Sequence, residues 1–415
     1  MLSNPFTPSE IASNPEDFFG RTEELRTLER SLLQGSVAIQ GAIGIGKSSL
    51  MARVRLLMEG FDSSHISKTV IAVGDRDVKT VDEAARLLLE SFIQVDERSQ
   101  RIGFKFGSLI EIESSEICRY YVEGRHLAAL KRIVEEEYLT LLLKDKEFLI
   151  LAIDEADKCP VPIARLIRSV ITHTQQQGVK KVRFIIAGVS PFFKAMVNED
   201  EGIRRFFYKS INLQPMKFRE AHYLLESKFM QLVKEASKYN IRISIDPDII
   251  DRIVELSGGH PHLMQLLGSH IIEHENANPD NIIDSKDLLT SLEKICYEDR
   301  FEVYEALIHM LEIHGTLDTL KSLIDTAKEG FPTRIDRNEA KEYSDFETLQ
   351  WLVENNILST PNPNYYGLVD EFLRIRIIFD IAELQSEQLE LKIIQPEYFS
   401  DEDNEDFYDD DEIEH

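Results

Sequence analysis

Long apolar runs are missing from this sequence. No stretch approaches the roughly 18 consecutive apolar residues of a membrane-spanning helix, so no span of that kind is expected. The opening residues, MLSNPFTPSEIASNPEDFF, lack the basic start and apolar core of a secretory signal, which makes a cytoplasmic location the expectation. Cysteine is scarce. Cys118, Cys159 and Cys296 are too widely spaced for a metal-ligand pattern or a disulfide framework and read as small core or surface residues. Positive charge is also in deficit: 47 Lys and Arg stand against 74 Asp and Glu, a formal net charge of -27. That balance excludes a surface built throughout for neutralising phosphates but leaves room for a local basic patch. Much of the acidic excess sits in 397–415, which has no Lys or Arg. Such a run repels itself and is expected to be disordered, serving as a solubilising tail, an interaction segment or a DNA-mimicking blocker of a basic site.

What is present is a chain of 415 residues, long enough for two or three domains. Up to about Leu213, short β-rich apolar runs alternate with amphipathic stretches. Val37 to Gln40, Thr69 to Val73, Phe148 to Ile153, Val182 to Ala187 and Ser210 to Leu213 read as buried strands. Helical patterns lie between them, for example Thr80 to Gln94 and Tyr121 to Lys144, and Val95 to Ser115 reads as an irregular excursion. Alternation of this kind implies a parallel sheet covered on both faces. From Lys217 the strands stop and helices follow, at about Phe218 to Lys238, Pro247 to Ser257, Pro261 to Glu275 and Lys286 to Glu298, with Asp246-Pro247 as a helix start. A third unit runs from Phe301, with helices Phe301 to His314, Leu317 to Ala327 and Asp345 to Asn355 and a hairpin of Ile357 to Thr360 with Tyr365 to Val369. Three helices and a hairpin outline a winged helix. The expected domains are 1–215, 216–299, 300–395 and an acidic tail, 396–415.

Gly41-Ala42-Ile43-Gly44-Ile45-Gly46-Lys47-Ser48 fits G-x-x-x-x-G-K-[ST], directly after a strand and before a helix at Ser49 to Met58. Glycines turn backbone N–H groups toward phosphate oxygens, Lys47 reaches the β and γ phosphates, and Ser48 offers its hydroxyl to Mg²⁺. The helix that starts with Ser49 aims its positive dipole end at the same anion. ATP with Mg²⁺ is therefore the expected ligand. Phe148 to Glu155 then places two carboxylates at a strand end. Asp154 would hold Mg²⁺ through water, and Glu155 would polarise the water that attacks the γ-phosphate.

With these two motifs the sequence resembles the AAA+ superfamily, in particular the branch of origin-recognition-type initiators and the related STAND-type and archaeal-type ATPases. Asn14-Pro15 through Phe19-Gly20-Arg21-Thr22-Glu23-Glu24-Leu25 is similar to an F-x-G-R-x-x-E-L segment that packs against the adenine in that branch, which implies nucleotide contacts for Phe19 and Arg21. Phe184 to Ser190 resembles the first sensor strand, with Ser190 as the residue implied to touch the γ-phosphate or attacking water. Gly202-Ile203-Arg204-Arg205-Phe206-Phe207 stands where the family carries its arginine finger, either Arg204 or Arg205. Ser257-Gly258-Gly259-His260-Pro261 is similar to a G-G-x-P segment opening a lid helix, which implies a nucleotide contact for Pro261. The sensor arginine usual in initiators is missing there, so slow hydrolysis is expected.

The expected fold is an α/β P-loop NTPase with a parallel sheet, followed by an all-α lid and a winged-helix domain. Its third helix, SDFETLQWLVENN, and wing tip, TPNPNYY, contain no Lys or Arg, so phosphate approach at that face is disfavoured. Lys180, Lys181, Arg183, Arg165, Arg168, Arg374 and Arg376 are the basic residues left for a nucleic-acid groove. Two functions follow from the resemblance. One is an ATPase switch whose nucleotide state drives self-assembly or recruits a protein partner, as in bacterial defence signalling. The other is an initiator-like or transposition-type regulator that assembles on duplex DNA.

Overall fold

The computed structural model describes residues 2–12, 16–59, 67–96, 101–104, 110–144, 146–327 and 331–382. Asn14-Pro15, parts of 95–115 and the acidic 396–415 tail lie outside them. The chain divides into two compact units, 11–213 and, among the described residues, 2–10 with 214–382. The expected 1–215 core is thus corrected at its amino end. Phe6 packs edge-on against Phe229 at 5.3 Å and over Gly268, Asn4 Nδ2 donates to Ser269 Oγ at 2.8 Å, and Asn276 Nδ2 donates to the Leu2 carbonyl at 3.1 Å. These partners lie more than 200 residues away in sequence, beyond the reach of any local pattern.

Unit 11–213 runs α1 (Thr22–Gln34), β1 (Ser36–Gly41), α2 (Lys47–Glu59), β2 (Ser67–Val73), α3 (Val81–Phe92), β3 (Ile93–Asp96), β4 (Arg101–Phe104), β5 (Ile110–Glu113), α4 (Ser115–Val122), α5 (His126–Ile133), α6 (Glu136–Leu143), β6 (Phe148–Asp154), α7 (Pro160–Gln176), β7 (Val182–Val189), α8 (Phe192–Glu199) and β8 (Phe207–Asn212). Five parallel strands form one sheet in the order β2-β6-β7-β1-β8. Alternation along each strand serves two apolar layers. Ile150 and Ala152 join Val37, Ile39, Ile185 and Ala187 beneath α1 and α2, whereas Leu149, Leu151 and Ile153 join Phe184 and Ile186 beneath the helices of the opposite face. Both layers are fully buried, as a parallel sheet requires.

Three expectations fail in this unit. The strand expected to be buried at Ser210 to Leu213 is the edge strand β8, Phe207–Asn212, in which Ile211 alone is buried. The excursion at Val95 to Ser115 contains an antiparallel sheet, β3-β4-β5, whose four-residue strands are too short to show a period. The single helix expected over Tyr121 to Lys144 is three pieces, because Gly124 turns the chain at φ 73 between α4 and α5, and Val134 and Glu135 separate α5 from α6.

The second unit contains α9 (Phe218–Ser237), β9 (Ser244–Ile245), α10 (Ile249–Ser257), α11 (Pro261–Ala277), β10 (Ile282–Ile283), α12 (Ser285–Lys294) and a π turn, Ile295–Asp299, followed by α13 (Phe301–Ile313), α14 (Leu317–Thr326), β11 (Ile335–Asp336), α15 (Arg337–Tyr343), α16 (Phe346–Glu354), β12 (Leu358–Asn362), β13 (Tyr365–Leu368) and α17 (Glu371–Ala382). The helical stretch is not free of strands, since β9 and β10 pair in parallel over two residues. Asp246 does not cap α10 directly. Its Oδ1 accepts from Asp248 N at 3.1 Å in a turn that delays the helix to Ile249. The hairpin β12-β13 gains a third strand, β11, in the order β11-β13-β12.

Candidate functional site

β1 runs directly into the loop Gly41 to Ser48. Gly41 adopts φ 155, and a Cβ there would lie 2.9 Å from both Ile45 Cγ2 and the Leu213 carbonyl oxygen. Gly44 and Gly46 adopt φ 77 and φ 100, conformations that only glycine takes without strain. A Cβ at Gly46 would meet no atom within 4 Å, so its glycine serves backbone shape, and the loop keeps open space on that side. Ile45 anchors the loop in the apolar layer while Ala42 is half-buried and Ile43 is exposed. Helix α2 begins at Lys47, with Leu50 N donating to the Gly46 carbonyl at 2.9 Å, so loop and helix start are continuous. Ser48 and Ser49 occupy its first turn, half-buried, and Ser49 Oγ accepts from Ala12 N at 3.1 Å.

Lys47 folds back on this loop, its Nζ donating to the carbonyls of Gly41 at 3.0 Å and Ala42 at 2.6 Å. Burial pushes its ammonium below the usual lysine range, against the opposing pull of Asp154, Asp157 and Glu155. A phosphate placed there would supply the counter-charge.

Arg21 holds the same loop from its outer side. It adopts φ 57 at the start of α1, its guanidinium is buried, Nη2 donates to the Ile45 carbonyl at 3.2 Å, and Nη1 pairs with Glu24 at 2.9 Å. These contacts tie Arg21 to the loop backbone, next to Phe19, for which the resemblance likewise implied a nucleotide contact. Phe19 is half-buried beside it, and Phe18 and Ala42 both pack against the apolar layer of Val37 and Ile39.

β6 ends on Asp154, buried, whose Oδ1 accepts from Glu155 N at 2.9 Å. Glu155 takes φ 50 and carries an ion pair with Lys158 at the next turn, Ala156–Lys158. β7 lies between β6 and β1, with Val189 paired to Gly41, and Ser190 is the next residue. Loop, acidic pair and Ser190 therefore leave three adjacent strands at one end of one sheet, the crevice where open α/β sheets bind ligands. Arg204 and Arg205 are exposed on the short turn Glu201–Phe206 before the edge strand β8, with Arg205 stacked over Phe206 at 4.8 Å.

Pro261 belongs to the other unit. It opens α11 after two glycines at φ 59 and φ 69, and the Gly259 carbonyl accepts from Met216 N at 2.9 Å. His262 Nδ1 meets the Pro8 carbonyl at 3.1 Å, a structural contact. Burial pushes its pKa down.

Sequence reasoning missed Asp157, Gly74 and Gly188, which clamp the turn after β6. Their only local signal is the acid two residues beyond Glu155. The basic residues proposed for a nucleic-acid groove are largely engaged: Lys181 with Glu136 at 3.0 Å, Arg165 with Glu199 at 2.5 Å, Arg168 with Asp200, Arg183 over Phe148 at 4.7 Å, and Arg374 and Arg376 buried. In α16, Leu349 and Leu352 are core, and Trp351 stacks on His314 at 4.4 Å.

No family model and no curated protein matches the chain. Solved structures do. The ORC2 protein of Aeropyrum pernix in its ADPNP-ADP complexes has a TM-score of 0.53 at 13% identity, covering 92% of this chain and 99% of that one. A Walker-type ATPase of Pyrococcus abyssi gives 0.52 at 18% identity, covering 89% and 98%. Cdc6p from Pyrobaculum aerophilum gives 0.50 at 16% identity, covering 93% and 98%. At these identities the likeness is one of fold: the parallel α/β core has the fold of these solved structures.

Proposed function

We propose that the chain is an ATP-binding and slowly ATP-hydrolysing switch whose nucleotide state controls self-assembly or recruitment of a protein partner. One observation carries this reading: the phosphate loop, Asp154 with Glu155, and Ser190 emerge from adjacent strands of one sheet. Ser48 and Asp154 would hold Mg²⁺, which neutralises charge on the transferred phosphate. The buried Asp154 carboxylate and the loop's open space at Gly46 suit such an ion beside a triphosphate. Lys47 holds the β and γ phosphates, Glu155 takes the proton of the attacking water, and Ser190 orients that water or the γ-phosphate. Arg204 or Arg205, exposed, would complete a neighbouring copy's site in a homo-oligomer. Pro261 enters through the family resemblance alone, and so does a role in bacterial defence.

An α16 without Lys or Arg and the internal engagement of the other basic residues favour a protein partner over duplex DNA. Light scattering and limited proteolysis in apo, ADP and slowly hydrolysed ATP states test the switch. A change of size or cleavage pattern between nucleotides is expected, and identical behaviour in all three contradicts it. An ATP-dependent, salt-sensitive gel shift on duplex DNA would put the initiator-like alternative first.

A further inference from the structure

We propose that Asp157 is a positioning residue that latches the turn after β6 to the end of β7 and so sets Ser190 against the nucleotide's terminal phosphate; the inference rests on the ATPase reading above. β7 is paired with β1 as far as Val189, but its pairing with β6 stops at Ile186. The last stretch of β7 thus lacks a strand on one side, and a backbone N–H left there would need another acceptor. Asp157 Oδ1 supplies it, accepting from Val189 N at 3.0 Å.

The fit is close. A Cβ at Gly188 would lie 2.8 Å from Asp157 Oδ1 and 3.0 Å from Asp157 N, so only glycine lets the two segments meet. The opposite flank is held in the same way. Gly74 N donates to the Asp154 carbonyl at 2.8 Å, and a Cβ at Gly74 would lie 2.4 Å from the Glu155 carbonyl oxygen. The turn that carries Glu155 is therefore clamped between the ends of β2 and β7. Ser190 is a single residue beyond the latched N–H, so the latch fixes the spacing between Ser190 and Glu155. The latch needs an acceptor oxygen and makes no use of the carboxylate's charge.

The full chain is titrated with a fluorescent ADP and, by competition, with a slowly hydrolysed ATP analogue in Mg²⁺. In the unaltered chain, a Ser190 contact to the γ-phosphate gives a preference for the analogue of about tenfold, the size of one hydrogen bond to a charged group. Asp157→Ala should abolish that ratio, and Asp157→Asn, which loses the same charge near Lys47 but keeps an acceptor oxygen, should retain it. Ser190→Ala should lower the ratio alone and add nothing on top of Asp157→Ala. Gly188→Ala, which drives a methyl into the latch, should reproduce the loss even if Asp157→Ala does not fold. A ratio unchanged in Asp157→Ala or in Gly188→Ala, a loss in Asp157→Asn equal to that in Asp157→Ala, or multiplying losses for Asp157→Ala and Ser190→Ala would each overturn the latch. An unaltered chain that shows the preference but never releases phosphate would remove the hydrolysis reading and leave the latch standing. A chain that binds no nucleotide would overturn both.

Discussion

Arg21 shows how much of the phosphate loop's shape is imposed from outside the loop. Its guanidinium reaches the Ile45 carbonyl from a residue held at φ 57, and the pairing with Glu24 fixes the fork. Arg21→Ala should weaken binding of a fluorescent ATP analogue by about tenfold through a loosened loop, and Arg21→Lys should not restore it, because a lysine lacks the two-pronged geometry. Unchanged affinity in Arg21→Ala would show that the loop is rigid without the brace. The octapeptide itself was legible because its eight residues are consecutive and each acts on its own backbone. Asp157 with Val189 was not legible, because the two residues meet only when two strand ends are brought together by the sheet.

Among the elements, the turn between α10 and α11 leaves no room for a side chain at its second glycine. Gly259 adopts φ 69, and a Cβ there would lie 2.5 Å from the Met216 carbonyl oxygen. Gly259→Ala should cost about 1–3 kcal/mol from backbone strain alone, with the collision in addition. Gly124→Ala, at φ 73 with open space around it, should cost only that backbone strain, about 1–3 kcal/mol. Denaturant unfolding of the two variants checks the difference, and equal losses would mean that Met216 yields freely.

The turn also borders α17. Burial raises the Glu371 carboxyl from 4.5 to about 7, against the pull of Arg374 and the bonds from Thr333 N at 2.9 Å and Thr333 Oγ1 at 2.6 Å. The folded protein thus holds a proton that the unfolded chain releases near 4.5. Stability from this group is full below that pH and is lost as pH rises through about 7. Glu371→Gln should remove this component of the pH dependence of the melting temperature, and a variant with the unaltered slope would contradict the assignment. Four of the five long strands were readable from their apolar runs, whereas β8, FYKSIN, is an edge strand whose sequence carries no such run. The β3-β5 sheet was not, because four-residue strands such as IQVD and IEIE mix apolar and charged residues without enough length to show a period.

At the scale of the whole molecule, the division at Leu213 could be seen as a change from strands to helices. The return of 2–10 to the second unit could not, since it depends on Phe6 finding Phe229 and Gly268. Assembly is where Arg204 and Arg205 matter. If either acts on a neighbouring copy's nucleotide, an Arg204→Ala/Arg205→Ala chain and a Glu155→Gln chain, each inactive alone, should recover ATPase activity when mixed, because some sites then pair an intact Glu155 with an intact arginine. No recovery on mixing would rule out action in trans. The central claim is that this sheet end hydrolyses ATP, and single-turnover phosphate release from Mg-ATP tests it most directly. The unaltered chain should release phosphate while Glu155→Gln binds ATP and retains it. Release at equal rates from both, or from neither while ATP is bound, would contradict the account.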